Sequence, residues 1–382
     1  MQAPSARVFA DFFAGIGLVR YAFERKGWVE RYALDYSPLK YAIHLSHFGK
    51  GLYVVEDIHT IDIETIPAIT LAHASFPCTD ISVAGSRNGL AGRESSAFWG
   101  FVRVLNDLDG RRPPIILLEN VEGFLTSTNG SDLEQALAAL CSLGYAVDIL
   151  LIDANHFVPQ SRVRLFIVGT RCAAPQATLE QERILIQQTQ ARPLKIKHFI
   201  RTHPLLRWYL NDLPLLPKRT LQFDQIIDHG AEWWEPKRTE YLYEQMHSYH
   251  QARIRFLMAQ ESWFYGTAFR RMRQRDGQKR STAEIRTDQI AGCLRTPKGG
   301  SARQIVFRVG YGQFHARLLN GLECARLMGA EAYTIDPSIS FNDLLFGFGD
   351  AVCVPAVEWI IEHAIEPLLA RSPMVQIEAA AL

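Results

Sequence analysis

Neither sign of charge dominates this 382-residue sequence, in which 41 lysines and arginines meet 40 aspartates and glutamates for a net charge of +1. A protein-wide attraction to nucleic acid is therefore not indicated, and any basic binding surface has to be local. Internal repeats and low-complexity tracts are also lacking. Hydrophobic residues make up 48% of the chain, which is ordinary for a globular protein.

Cysteines are few and scattered, and no two of the six have the C-x-x-C spacing that is typical of zinc or redox sites. The first residues, MQAPSARVFADFF, lack the long apolar core of a secretion signal. No later run approaches the ~20 apolar residues that a membrane span needs. We therefore expect a cytoplasmic protein with no disulfide framework, no metal site and no membrane partner.

The first half of the sequence alternates short apolar runs with amphipathic stretches. Runs such as RVFADFF, RYALD and PPIILLEN predict strands, whereas LVRYAFERKGW and PLKYAIHLSHFG predict helices. This alternation favours an α/β fold with a Rossmann-like, mostly parallel sheet that is covered on both faces.

After about Thr170 the pattern becomes irregular and rich in aromatic residues, prolines and arginines, which predicts a second, smaller domain. We expect a first domain over residues 1–185 and a second over 186–325. A C-terminal segment, 326–382, is expected to pack back on the first domain through its apolar helix VPAVEWIIEHAIEPLLA.

Three successive predicted strands end in residues that suit a ligand. Gly15 and Gly17 follow the first strand, Asp35 ends the second, and Asp57 with Ile58 follows the third. Glycines between a strand and a helix let a ligand approach the backbone, and a carboxylate about 20 residues on can bind ribose hydroxyls. The set fits an adenosine-containing ligand without a diphosphate, although a tight turn and solvated acids remain the alternative.

The next strand ends could hold reactive groups. Cys78 follows a proline at the mouth of a polar, glycine-rich loop, and Glu119 comes directly after four apolar residues. Arg162 and Arg164 alternate with apolar residues in RVRLF. Taken singly, these could be a buried cysteine, a helix cap and solvated arginines. Together, arginines beside a thiol would favour the thiolate, and a buried carboxyl could act as an acid.

The chain resembles the DNA (cytosine-5)-methyltransferases, which have a class I methyltransferase fold. The order of the motifs is that of the family, and only the middle of the chain lacks a match. The stretches that carry the resemblance are DFFAGIG, ALDYS, EDI, SFPCTDIS, LLENVEGF, PQSRVRLFIVG, RLLNGLECARLMG and GDAVCVPAV.

This resemblance implies nucleophilic catalysis on cytosine. Cys78 would add to C6 of the base, which makes C5 able to attack the methyl group of S-adenosylmethionine. Glu119 would contact the N3 and exocyclic amine edge, and Arg164 would hold O2, with Arg162 nearby. Because a stacked base cannot be reached, the cytosine must be flipped out of the duplex. Two loop residues, Ser82 and Arg87, are expected to contact the DNA.

The resemblance also implies which residues bind S-adenosylmethionine. The predicted contacts are with Phe13, Gly15, Gly17, Asp35, Asp57, Ile58, Asp350 and Ala351. One motif departs from the family pattern, because Asp350 stands where an asparagine is usual. An ionised carboxylate cannot donate a hydrogen bond as an amide does, so the contact of Asp350 is in doubt. A second departure is Thr79, where relatives often have glutamine.

The middle region would then recognise DNA. Eleven lysines and arginines lie between residues 270 and 308, against three acids, and a solvated charged face is the alternative. Arg270, Arg271 and Arg273 are predicted to contact phosphates. Arg303 and Gln304, which end the stretch TPKGGSARQ, are predicted to read base edges.

Three other functions compete with this interpretation. An RNA methyltransferase of the same superfamily is disfavoured because the Cys-Phe-Thr motif of the tRNA-methylating relatives is absent. An idle DNA-binding module is disfavoured by the intact reactive residues, and a nicotinamide oxidoreductase by the missing third glycine. We expect a monomer. The recognition sequence, and whether a restriction nuclease or another defence system accompanies the enzyme, cannot be read from the sequence.

Overall fold

The computed structural model describes residues 7–77, 96–275, 278–296 and 303–371. The chain forms two compact units. The first consists of Met1–Asp153, Val163–Leu216 and Ala356–Leu382, and the second of Ala154–Arg162 and Pro217–Pro355. The units differ from the predicted domains in three places, since residues 186–216 belong to the first unit and residues 154–162 and 326–355 to the second.

The first unit contains a seven-stranded sheet in the order β3-β2-β1-β4-β5-β7-β6. The pairs from β3 to β5 are parallel, and β7 runs antiparallel to both of its neighbours. The predicted mostly parallel α/β fold is thereby confirmed. The strands are β1 Val8–Phe12, β2 Val29–Asp35, β3 Tyr53–Val55, β4 Leu71–Ala74, β5 Ile115–Val121, β6 Ala146–Asp153 and β7 Val163–Thr170.

Helices cover this sheet because its central strands are buried on both faces. All five residues of β1 and all four of β4 are buried, as in parallel sheets with two covered faces. Phe12 packs on Phe101, with ring centroids 5.3 Å apart. The helices are α1 Leu18–Arg25, α2 Pro38–Phe48, α3 Ser96–Asp107, α4 Ser131–Ser142, α5 Thr178–Leu185 and α6 Leu194–Thr202.

The last helices also belong to the first unit from Ala356 onward. These are α11 Val354–Ile360, a π-helical turn Ile361–Ile365 and α12 Glu366–Leu369. Glu366 accepts a hydrogen bond from Trp28 Nε1 at 2.9 Å and pairs with Arg7 at 2.9 Å. By length and composition Phe341–Leu369 could cross a membrane, but 67% of its most apolar window is buried within the protein.

A buried ion pair fastens residues 186–216 to the sheet. Arg192 lies 2.5 Å from Asp148 on β6, and both side chains are 1% exposed. Asn211 donates to the same carboxylate from its backbone N–H and from its side chain, both at 2.9 Å. This segment is therefore part of the α/β unit although its sequence lacks the strand–helix alternation.

Glu30 on β2 is a buried acid whose titration should affect stability. Burial raises its pKa to about 8, the charge of Asp11 adds to this, and the ion pair with Arg20 at 3.2 Å opposes it. The folded state therefore keeps a proton that the unfolded chain releases at lower pH. Stability must fall as the pH rises from the unfolded pKa towards about 8, by at most ~1.4 kcal/mol per pH unit.

Glu30→Gln should remove this pH dependence because glutamine carries no titrating proton. The measurement is the free energy of unfolding in urea of the wild type and the variant, at about pH 5.5 and about pH 7.5. We expect the variant to gain stability relative to the wild type at the higher pH. Parallel stabilities at the two pH values would show that Glu30 ionises in the folded state as it does in the unfolded chain.

The second unit contains a four-stranded antiparallel sheet in the order β11-β10-β8-β9. Its strands are β8 Phe264–Arg275, β9 Gln278–Arg286, β10 Ile305–Gly310 and β11 Gln313–Leu318. Buried residues of α7 Pro236–Glu244 and α8 Ser248–Met258 pack on one face, around Phe307. Two further helices follow, α9 Gly321–Leu327 and α10 Phe341–Asp350.

Strand β8 is longer than its neighbour β10. Only its first half, Phe264–Ala268, pairs with β10, whereas pairing with β9 continues from Thr267 to Arg275. The far half of β8 and the start of β9 therefore form a two-stranded ribbon. In this ribbon Arg273 lies directly opposite Arg280, and such like-charge pairs are destabilising unless an opposite charge is near.

Candidate active site

The predicted site residues of the first unit that the structure describes lie at one end of its strands. The carboxyl ends of the parallel strands β1, β2, β4 and β5 lie there, together with the beginning of the antiparallel strand β7. The strand order reverses between β1 and β4. Open α/β sheets bind their ligands in the crevice at such a reversal.

The turn after β1 has three residues with left-handed backbone, Phe13, Gly15 and Gly17, with φ of 64°, 58° and 83°. Gly17 has no room for a side chain, because a Cβ there would lie 2.6 Å from the ring of Phe48 and 2.7 Å from that of His44. Gly15 differs, since the nearest atom to a Cβ built there is 3.9 Å away. The turn is therefore packed on its inner side and open at Gly15.

Asp35 holds this turn from the end of β2. Its carboxylate accepts the backbone N–H of Gly15 at 3.0 Å and that of Ser37 at 2.9 Å. Tyr53 on β3 donates its hydroxyl to the carbonyl of Gly15 at 2.9 Å. Asp35 is thus a structural anchor of the turn, and a carboxylate still has lone pairs for additional donors.

The residues after β3 lie in a small turn. Asp57 accepts the backbone N–H of His59 at 2.9 Å. Ile58 is buried, and its carbonyl accepts a hydrogen bond from Arg103 of α3 at 2.8 Å. A helical glycine, Gly100, allows this close approach, because a Cβ there would meet Ile58 at 2.7 Å.

Glu119 and Arg164 form an ion pair at the same edge. Their Oε1 and Nε atoms are 2.8 Å apart, and the side chains are 7% and 15% exposed. Arg164 also donates to the carbonyl of Val163 at 2.8 Å. The pair places a carboxylate acceptor and a guanidinium donor side by side.

Asn120 anchors the chain that leaves β4. Its Nδ2 donates to the carbonyl of Phe76 at 3.2 Å, and the side chain is buried. The predicted nucleophile, Cys78, lies outside the described residues, as do the predicted DNA contacts Ser82 and Arg87. The described chain therefore reaches Pro77 in a position fixed by β5.

Arg162 does not share the surroundings of Arg164. It precedes β7, belongs to the second unit and is 2% exposed. Its guanidinium donates to the carbonyls of Leu294 at 2.9 Å, Gly349 at 3.0 Å and Ala351. The sequence pattern suggested two arginines on one strand face, but this side chain instead holds the backbone around the end of α10.

The other predicted cofactor residues near the C-terminus are described within the second unit. Asp350 is exposed at the end of α10, and the backbone N–H of Ala351 donates to the carbonyl of Gly347 at 3.2 Å. Gly349 approaches residues 295 and 296 closely, because a Cβ there would lie 2.6 Å from the backbone N of Thr296.

The predicted DNA-binding residues differ in accessibility. Arg271 and Arg273 are about half exposed, and both lie near Glu284, at 3.8 Å and 2.7 Å. Arg270 points to the other face of β8, where it donates to Gln245 at 2.9 Å. Alternation along the strand therefore separates Arg270 from the other two.

The two residues predicted to read bases are engaged within the protein. Gln304 is 7% exposed, and its Oε1 accepts the backbone N–H of Gly292 at 3.1 Å. Arg303 donates to Asn342 at 2.7 Å. The geometry does not favour base reading by Gln304, because its amide would have to leave a buried main-chain partner.

Sequence reasoning missed two residues at the sheet edge. Tyr36 follows Asp35 and is 63% exposed, which is unusual for a ring next to a buried carboxylate. Asn120, on β5 and three positions from β2 in the sheet order, has the anchoring contact described above. Both directly follow an acid at a strand end, and that position is the signal that could have identified them. Among the described residues, no group of three or more His, Cys, Asp or Glu side chains could hold a metal.

Solved structures of methyltransferases have a similar fold. The Entamoeba histolytica methyltransferase EhMeth aligns over 96% of this chain and 99% of its own, with a TM-score of 0.64 and 13% identity. The S. pombe Dnmt2 methyltransferase aligns over 95% and 99%, with a TM-score of 0.60 and 16% identity. At these identities the similarity concerns the fold alone.

Curated relatives are similar over part of their sequences. The type II methyltransferase M.BanI of Aneurinibacillus aneurinilyticus is 32% identical over 218 residues, which is 54% of this chain and 48% of M.BanI. M.Bsp6I of Bacillus sp. (strain RFL6) is 33% identical over 165 residues, 42% and 51% of the two chains. The aligned region thus spans about half the length of these relatives.

The family model described as C-5 cytosine-specific DNA methylase matches residues 8–366. This match runs from β1 to α12 and includes the middle region that the sequence motifs left unassigned. The chain therefore belongs to the C-5 cytosine-specific DNA methylase family.

Proposed function

We propose that the protein transfers the methyl group of S-adenosylmethionine to C5 of a cytosine in duplex DNA. The observation that carries this proposal is the Glu119–Arg164 pair, which lies at the same sheet edge as the glycine turn and the chain entering Cys78. Family membership and the type II methyltransferase relatives support the reaction and the DNA substrate.

The residues of the turn fit S-adenosylmethionine, the methyl donor of the family. Space is open at Gly15, and the carboxylate of Asp35 lies beside it as an acceptor for ribose hydroxyls. We assign the face of an adenine ring to the exposed Tyr36, and its edge to Asp57 and Ile58. When bound, the cofactor supplies an electrophilic methyl group.

The chain's own residues would then activate the base. The thiolate of Cys78 forms a bond to C6, and the electron pair of the C5–C6 bond becomes available at C5. Glu119 at the N3 edge and Arg164 at O2 stabilise the negative charge that this addition places in the ring. Transfer of the methyl group to C5 would leave S-adenosylhomocysteine. The C5 proton would then pass to solvent, which restores the C5–C6 double bond and expels the thiolate of Cys78.

Arg162 has a supporting role in this proposal. Its donors are engaged by the carbonyls of Leu294, Gly349 and Ala351, so it fixes the backbone next to the predicted cofactor residues Asp350 and Ala351. Replacement of Arg162 should therefore affect cofactor binding and folding, rather than base recognition as its position in the motif implies.

A radiolabel experiment tests the reaction and its main alternative. The protein is incubated with S-adenosylmethionine that is tritiated at the methyl group and with either unmodified genomic DNA or total tRNA. Nucleosides from each digest are then separated. We expect label in 5-methyldeoxycytidine from DNA. Label in 5-methylcytidine from tRNA, with none in DNA, would make the protein an RNA methyltransferase.

The cofactor assignment predicts a loss of affinity in Asp35→Ala. Hydrogen bonds to a charged group contribute ~1.5–3 kcal/mol each, so affinity for S-adenosylmethionine should fall about tenfold or more. Calorimetry measures it. Asp35 also anchors Gly15 and Ser37 through both of its oxygens, so thermal unfolding of the variant is the control for collapse of the turn. Unchanged affinity in a folded Asp35→Ala protein would limit Asp35 to the structural role.

The exposed arginines of the β8–β9 ribbon are proposed to contact phosphates. Arg273→Ala should weaken binding to all duplexes alike and make the slope of log affinity against log salt shallower by about one unit. Arg183→Ala, which changes an exposed arginine of α5, is the matched control. Binding is measured at several salt concentrations. A slope equal to that of the wild type would remove Arg273 from the DNA interface.

The biological setting follows from the relatives. Their names identify them as type II methyltransferases, so we propose that the enzyme acts inside the cell on the genome and accompanies a restriction or defence nuclease. We propose further that it acts as a monomer, which sedimentation with and without DNA would test.

A further inference from the structure

A buried polar pair lies in the middle of the sheet. Asp11 on β1 and His73 on β4 are direct neighbours in the parallel register. Both are fully buried, and Oδ1 of Asp11 is 2.7 Å from Nδ1 of His73. The other ring nitrogen of His73 lies 3.3 Å from the hydroxyl of Ser75. The three side chains form a continuous chain of hydrogen bonds, Asp11–His73–Ser75.

This pair is a polar exception within an apolar core. The flanking residues Ala10, Phe12, Ala72 and Ala74 are apolar and fully buried, and buried ion pairs are often no more stable than apolar side chains of similar volume. Among the described residues, Oδ2 of Asp11 has no hydrogen-bond partner. Burial of polar groups at some expense in stability is typical of functional sites.

The chain of hydrogen bonds joins the two parts of the proposed active site. Asp11 precedes Phe13 of the cofactor turn by two residues, and the backbone N–H of Ser75 donates to the carbonyl of Phe12 at 3.3 Å. Ser75 is followed by Phe76, whose carbonyl Asn120 holds from β5. The backbone that leaves β4 is therefore held from two sides.

Charge also links the pair to the cofactor turn. Burial raises the pKa of Asp11, and the nearby carboxylate of Asp35 raises it further, whereas His73 lowers it. Asp11 in turn raises the pKa of Glu30 on β2. The charges of Asp35, Asp11 and Glu30 thus act on one another within the sheet.

We propose that His73 is a positioning residue. Through Ser75 it fixes the backbone that leads to Cys78, and it couples this backbone to the turn after β1, which contains Gly15 and Gly17. The proposal rests on the proposed function, since it concerns the same site. It assigns His73 and Ser75 no contact with the substrate.

Three variants separate positioning from folding. Ser75→Ala removes the hydrogen bond between Ser75 and His73 with little change in volume, and Ser75→Thr retains a hydroxyl. His73→Asn keeps a donor near Asp11, but this donor cannot reach Ser75. We expect Ser75→Ala and His73→Asn each to slow single-turnover methyl transfer to genomic DNA about tenfold, as loss of one hydrogen bond to a positioned group allows. Affinity for S-adenosylmethionine should stay close to wild type in both variants. The thermal stability of Ser75→Ala should also stay close to wild type, whereas His73→Asn should lose some stability with its buried volume. Ser75→Thr should restore the rate.

Combining Ser75→Ala with His73→Asn tests whether the two residues act through the same series of hydrogen bonds. The double variant should be no slower than either single one, because residues that act as a unit are not additive. Ser142→Ala, an exposed serine of α4, is the control. A wild-type rate in Ser75→Ala, an additive loss in the double variant or a parallel loss of cofactor affinity would overturn the proposal.

Hydrogen exchange gives a result that does not depend on activity. In the wild type, S-adenosylmethionine should slow amide exchange in a peptide that covers residues 71–77, and in His73→Asn it should not. Equal slowing in both proteins would refute the coupling. If the wild type transfers no methyl group but shows this difference, the proposed function fails while the coupling stands.

Discussion

Glu119→Gln should lower the rate of methyl transfer about 100-fold or more, because a positioned acid or base contributes at least that much to catalysis. Glutamine keeps the size of the side chain and can still accept a hydrogen bond from Arg164. It carries no proton that could be exchanged with the N3 edge of the base. The measurement is the single-turnover rate with tritiated S-adenosylmethionine and genomic DNA.

A second glutamate of the same stretch serves as the matched control. Glu122 follows three residues later, pairs with Lys195 at the surface and is 44% exposed. Glu122→Gln should leave the rate unchanged, and both variants should bind S-adenosylmethionine as the wild type does. If Glu119→Gln were as active as Glu122→Gln, the Glu119–Arg164 pair would be a structural ion pair and the proposed chemistry would lose its acid.

The largest effect on stability is expected for Asp148→Ala. This change leaves Arg192 with its charge buried and removes the acceptor of two hydrogen bonds from Asn211. Removal of one partner from a buried ion pair costs ~3–5 kcal/mol. Urea unfolding of the variant measures the loss.

Two further variants show whether the loss of stability in Asp148→Ala comes from the buried ion pair. Glu182→Ala breaks the pair with Arg201, whose side chains are both 43% exposed, and should cost only ~0–1 kcal/mol. Asp148→Leu combined with Arg192→Met removes both charges and should regain much of the stability. A cost for Asp148→Ala no larger than that for Glu182→Ala would mean that residues 186–216 are not fastened to β6.

The sequence was informative where the chemistry is local. Apolar runs ending in Asp35 and Glu119 predicted both the strands and the edge at which these acids lie, since parallel strands share that edge. Gly15 and Gly17 marked a turn that does require left-handed backbone. These features depend on neighbours in sequence, which is why the α/β unit and its glycine turn could be predicted.

Features that depend on distant partners were not visible in the sequence. Arg162 lies two residues before Arg164, yet its partners Leu294, Gly349 and Ala351 are more than 130 residues away. Gln304 is polar in a basic stretch, but the backbone of Gly292 engages it. The identity of a hydrophilic residue does not reveal whether its hydrogen-bond partner is solvent, a ligand or the main chain.

The antiparallel sheet of the second unit was hidden for a related reason. Arginines occupy both faces of β8, with Arg270 on one side and Arg271 and Arg273 on the other. The strand therefore lacks the apolar–polar alternation from which strands are predicted. A two-stranded ribbon is marginally stable alone, so its stability depends on the elements packed beside it rather than on the alternation of its own residues.

Bisulfite sequencing tests the central claim most directly. DNA is taken from cells that lack cytosine methylation of their own and that express either the wild type or Cys78→Ala. We predict that the wild type protects cytosines from conversion in one recurring short sequence context and that Cys78→Ala protects none. Equal protection by Cys78→Ala, or no protected context with a folded wild-type protein that binds S-adenosylmethionine, would contradict the account.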